Sequence, residues 1–155
     1  MEQMEFDERR EQLLDTAPWV IDFLPRQVPA DCGGNYFAVE QYMMAHPQVD
    51  ELYGRFARFL VKLSCYYDMA AYDPQSDSWH MNPGPEELTR QVEICILPGK
   101  DRYLQLLCPA QSALLTLDPG DLYMALYTSH QSLLETVTQL AGAEGLFVRR
   151  GAWEG

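Results

Sequence analysis

The 155 residues carry 11 basic and 23 acidic side chains, a formal net charge of −12, with 47% hydrophobic and 22% charged residues. That balance excludes a disordered or fibrous chain and suits one domain, residues 1–155, around one core. The acidity opposes nucleic-acid phosphates and anionic lipid, no apolar run reaches the ~18 residues of a membrane span, and the start MEQMEFDERREQ is charged where a secretory leader is apolar.

A cytoplasmic protein with neither nucleic-acid nor membrane partners is therefore expected. Its cysteines, Cys32, Cys65, Cys95 and Cys108, lie too far apart for a close-spaced ligand pair, so no metal and no cofactor is expected. Cys65, Cys95 and Cys108 stand among apolar residues and read as reduced, buried thiols.

Residues 3–16 are rich in helix formers and predict a surface helix. Trp19 to Leu24 is a short aromatic and β-branched run between Pro18 and Pro25, a strand. A loop to Asn35 follows, and Asn35 is placed to cap a helix reaching about Ala45. Val49, Leu52, Tyr53, Phe56, Phe59, Leu60 and Leu63 recur at offsets of three and four, the stripe of an amphipathic helix facing a core. Residues 65–72 predict a strand ending before Pro74, and 74–84 a loop.

Pro85, Glu86 and Glu87 suit a first helical turn, and Leu88, Val92 and Cys95 share one face of that helix. Residues 103–107 are ambiguous. The runs 113–117 and 122–128 flank Asp118-Pro119-Gly120-Asp121 as a hairpin. Ser129 is placed to cap a helix faced by Leu133, Leu134, Val137 and Leu140, and residues 146–148 make a last strand.

The class is thus α+β. From residue 65 to 150 the order reads β-α-β-β-α-β, a ferredoxin-like split βαβ with a mostly antiparallel sheet and helices on one face, preceded by an α-β-α-α extension. Such a fold hosts enzymes, sensors and interaction modules alike, so function must be sought in particular residues.

Trp79 and His80, with Asp77, lie in the predicted loop and suit a ligand or partner contact. The simpler reading turns Trp79 back onto the core edge and leaves His80 in water. Asp22 and Asp68 are carboxylates inside apolar strands. Neighbouring strands would let them share a proton or bind a cation, whereas β alternation puts Asp22 on an exposed face. Cys32 precedes a predicted helix, whose positive end favours thiolate, and would need His46 or His80 as a base.

Arg55, Arg58 and Lys62 form a basic stripe for an anion, although Glu51 stands where it would pair with Arg55. Residues 103–148 contain no Lys or Arg at all, a surface attractive to a basic partner. The expected function is a non-catalytic binding or regulatory module for a protein or small molecule, a homodimer included. The alternatives are a small enzyme using Asp22 with Asp68, or Cys32 with a histidine, and an acidic inhibitor of a basic partner.

Overall fold

The structure is a computed structural model that describes residues 3–29, 31, 34–46, 51–96, 102–119 and 122–150. Its helices are α1 (Gln3–Leu14), α2 (Asn35–Ala45), α3 (Leu52–Leu63), α4 (Pro85–Ile96) and α5 (Gln131–Ala143). Its strands are β1 (Trp19–Asp22), β2 (Ala70–Asp73), β3 (Ser78–Met81), β4 (Leu104–Cys108), β5 (Ala113–Leu117), β6 (Tyr123–Tyr127) and β7 (Phe147–Arg150). The α+β class and the N-terminal α-β-α-α order hold. All the strands join one antiparallel sheet in the order β3-β2-β4-β5-β6-β1-β7.

That sheet has seven strands where a ferredoxin-like core has four, so the ferredoxin-like order is not confirmed. Strands β1, β3 and β4 join the four of the predicted core, and β2 is shorter than expected. Residues 65–68 continue the turns after α3, the Cys65 N–H bonding to the Lys62 carbonyl and the Tyr66 N–H to that of Leu63, so β2 starts at Ala70. The predicted loop 74–84 holds β3, because Asp77 adopts a left-handed conformation (φ 50°) that folds the chain back and pairs Tyr72 with Trp79. Residues 104–108 form β4, paired along its length with β5.

The alternation of each strand divides the apolar residues between two faces. On the first face Ile21, Ala71, Leu106, Leu115, Met124 and Leu126 pack with Phe56, Phe59, Leu60, Leu88, Val92, Leu133 and Val137 of α3, α4 and α5. The stripe predicted from residue 49 supplies this core from Leu52 onward, and Val49 lies outside the described residues.

On the second face Ala70, Trp79, Leu107 and Leu114 pack against Phe6 and Leu13 of α1. Helices thus occupy both faces. Polar contacts tie α1 down: Trp79 Nε1 donates to Asp7 (2.8 Å), Arg9 Nη1 to the Pro109 carbonyl (2.7 Å), and the Arg10 guanidinium lies over the Tyr72 ring at 4.5 Å.

Two caps differ from expectation. Gly34 (φ 84°) stands at the α2 cap with Asn35 already helical, and α5 is capped by His130, whose Nδ1 accepts the Leu133 N–H at 3.1 Å, rather than by Ser129. At its other end α5 closes through Gly145 (φ 77°): the Leu146 N–H reaches the Ala141 carbonyl (2.8 Å) and the Gly145 N–H that of Gly142 (3.1 Å), with Leu146 and Ala141 both buried.

Candidate functional site

Helix α1 screens the second face over β3, β2, β4 and β5, and the rest of that face is concave. Its shape follows from the register. Thr116, Ala125, Val20 and Arg149 form one cross-strand row, and Tyr123, Asp22 and Phe147 the next. Along β6 the sequence Tyr-Met-Ala-Leu-Tyr sets Tyr123, Ala125 and Tyr127 on this face, a methyl between two phenols, and leaves a notch.

Two adjoining cavities result, sharing Val20 and Tyr123 as a common wall. One, about 260 Å³, is lined by Asp22, Arg149, Gln27, Val28 and Tyr36 besides that wall. The other, about 210 Å³, adds Pro18, Thr116, Asp118, Ala125 and Tyr127.

The buried polar element here is Asp22. It is 3% exposed rather than on an open face, because Arg149 of β7 and the residues Gln27, Val28 and Tyr36 stand around it on the side of β1 that alternation would have left to solvent. Its Oδ2 accepts from Arg149 Nη2 at 2.8 Å and its Oδ1 from the Phe23 N–H at 2.7 Å, which compensates the burial of the charge. Arg149 Nε is buried without an acceptor. Tyr127 has a raised pKa, through burial first and the nearby Asp118 carboxylate second, with a side-chain hydrogen bond to Thr116 acting the other way.

A second cleft of about 210 Å³ lies between the β2–β3 hairpin and α4, lined by Tyr72, Asp73, His80, Glu87, Arg90 and Arg102 among others. Here the residues at the predicted loop meet. Glu87 Oε2 lies 3.4 Å from His80 Nε2 and accepts from Gln91 at 2.8 Å, while its Oε1 lies 3.5 Å from Arg90. The Gln75 N–H and the Ser76 hydroxyl hold the Asp73 carboxyl below its usual range, with Arg102 adding to them and burial opposing. Tyr72 donates to Asp77 at 2.6 Å, and that bond pushes its phenol pKa up. Trp79 stands on the other side of β3, 5% exposed beneath α1, so His80 and Trp79 do not form one site.

The remaining candidates disperse. Asp68 is exposed and accepts from Asn82 Nδ2 at 3.3 Å, away from Asp22, and it precedes β2 instead of lying within a strand. His46 stacks on Tyr42 at the end of α2. Among the described residues no hydrogen bond or ion pair joins any two of Asp22, Asp68, His46 and His80. Cys32 lies outside them.

The basic stripe is engaged by the end of α5. Arg58 Nε and Lys62 Nζ reach the two oxygens of Glu144 at 2.7 and 2.6 Å, and Arg55 Nη1 donates to the Gly145 carbonyl at 3.2 Å. Burial pushes the Glu144 carboxyl up, but the hydrogen bonds and charges of Lys62 and Arg58 outweigh it and hold the pKa below the usual range. Among the thiols, Cys95 and Cys108 are buried, their pKa pushed up to about 12 chiefly by desolvation, whereas Cys65 is exposed, since residues 65–68 turn outward.

Sequence reasoning missed Arg149, Tyr123, Tyr127 and Asp118. One usable signal was present. Arg149 and Arg150 are the first basic residues after Arg102, and an arginine in a strand is the natural partner for a lone carboxylate in another.

No protein-family model, curated protein or solved structure matches this chain. Among the described residues no helix is long and apolar enough to cross a membrane, and no group of three or more His, Cys, Asp or Glu side chains is placed to hold a metal ion.

Proposed function

We propose that the protein is a non-catalytic binding module, cytoplasmic, that engages a protein or small ligand through the second face of its sheet, beside α1. The observation that carries this reading is the pair of joined cavities over β6, β1 and β7, walled by Tyr36, Tyr123, Tyr127 and Val20. Aromatic and aliphatic walls with a few fixed polar groups are the usual composition of a recognition site. The polar group at the base, Asp22 with Arg149, is occupied by its own ion pair, which suits orientation of a ligand better than proton transfer. At about 260 and 210 Å³ the cavities are small beside sites for drug-sized molecules, of about 300 Å³ upward, so a side chain or a compact fragment is the fitting guest.

The reading is tested by titrating the ¹⁵N-labelled chain with a fragment library. Amide shifts gathered on Val20, Tyr123, Ala125 and Arg149, abolished by Ala125→Trp, are expected. Shifts gathered instead on His80, Glu87 and Arg102 would transfer the site to the α4 cleft and overturn this assignment.

A second reading, an inhibitor of a basic partner, draws on Asp118 at the rim of one cavity and on the absence of Lys and Arg from residues 103–148.

A further inference from the structure

We propose that the notch bounded by Tyr123, Tyr127, Thr116 and Asp118 is a seat for the side-chain cation of a lysine or arginine presented by a basic protein partner. The inference rests on the sheet-face reading above and names the chemistry of its guest.

Tyr123 and Tyr127 are four residues apart on one strand, so their Cα atoms lie roughly 13 Å from each other, with only the Ala125 methyl between them on that face. A larger residue at 125 would fill the gap. On the neighbouring strand Thr116 pairs with Ala125, and the same register continued by two residues brings Asp118 level with Tyr123. All of these side chains line one cavity of about 210 Å³.

Its chemistry is one-sided. The walls include the side chains of Tyr123 and Tyr127, whose rings attract a cation through their quadrupole, and the rim carries a carboxylate that no salt bridge engages among the described residues. Among the described residues no Lys or Arg lines the notch. Arg149, on the same face, lines the adjoining cavity and is neutralised by Asp22. A chain of net charge −12 draws a basic partner toward the seat, while the stem of a lysine or arginine finds an apolar floor in Val20 and Ala125.

The test compares two blocked tripeptides, Gly-Lys-Gly and its norleucine counterpart, titrated into the full ¹⁵N-labelled chain. The lysine peptide is expected to shift the amides of Thr116, Ala125 and Tyr127 and to bind about fivefold tighter than norleucine, a preference that Asp118→Asn removes. Asp118 is exposed at a strand end, so this variant keeps the fold. Equal binding of the two peptides at the notch would overturn the cation seat and leave the sheet face as an apolar binding surface. Shifts elsewhere, or none on this face, would overturn the seat as well, and the fragment titration then decides the sheet-face reading separately.

Discussion

At the scale of single residues, the pairing of Asp22 with Arg149 governs how the concave face is held. Asp22 is enclosed and its partner side chain is 19% exposed, so removing one charge strands the other in a poorly solvated place. Arg149→Met should lower unfolding stability by about 3 kcal/mol. Adding Asp22→Leu to that variant should recover part of the loss, because the stranded carboxylate is gone. Urea denaturation of both single variants and the double variant measures the coupling, and strictly additive losses would show that the pair is not energetically joined.

Gly145 is the other decisive position. Its left-handed backbone disfavours any Cβ, and one added there would meet Arg55 Nη1 at 2.8 Å. Gly145→Ala should cost about 1–2 kcal/mol, seen as a lower melting temperature. A variant as stable as the parent would mean that the α5 terminus relaxes into another cap.

Between elements, the α3–α5 contact is electrostatic as well as apolar. Arg58 and Lys62 converge on Glu144 at the negative end of α5, where cations are favoured. The Glu144 pKa is depressed in the folded chain, so its contribution is present above the unfolded carboxyl range and fades as pH falls through the lower folded value. Because Arg58 and Lys62 are about half exposed, Glu144→Gln should cost only about 1 kcal/mol at pH 7. The gap to the parent should close below about pH 4. Thermal denaturation across that range reads the effect, and a gap independent of pH would refute it.

This contact also explains why the Arg55–Arg58–Lys62 stripe was legible as a motif but not as a structural device. Its acidic partner lies more than 80 positions away in sequence.

For the molecule as a whole, one sheet separates two apolar layers of unequal strength. The first face is sealed by α3, α4 and α5, and the second is covered over β2 to β5 by α1, whose buried anchor is Phe6. A polar helix of 12 residues is marginal by itself and holds its shape by docking. Hydrogen exchange should therefore find the α1 amides opening locally, while those of β4 and β5 exchange only on global unfolding. Equal protection in both would make α1 an integral part of the cooperative unit.

Local patterning was enough to identify the helices, the hairpin of β5 and β6, and the class. A 3.6-residue stripe such as Leu52 to Leu63, or a turn such as Asp118-Pro119, encodes its conformation within a few neighbouring positions. Strand β3 escaped because its reversal uses Asp77 in a conformation that few aspartates adopt, and β4 because a run such as Leu104 to Cys108 has no period to distinguish it.

The sequence by itself determined the acidity, the helical faces and the absence of basic residues between Tyr103 and Val148, all properties of composition and short-range order. Only the tertiary structure decided that Asp22 meets Arg149, that Trp79 belongs to the α1 layer, and that three strands share an open tyrosine-lined face. Those facts depend on partners far apart in sequence, Gln3 and Trp79 by 76 positions and Asp22 and Arg149 by 127, and register between distant strands is chosen by the packing of the whole sheet rather than by any one segment.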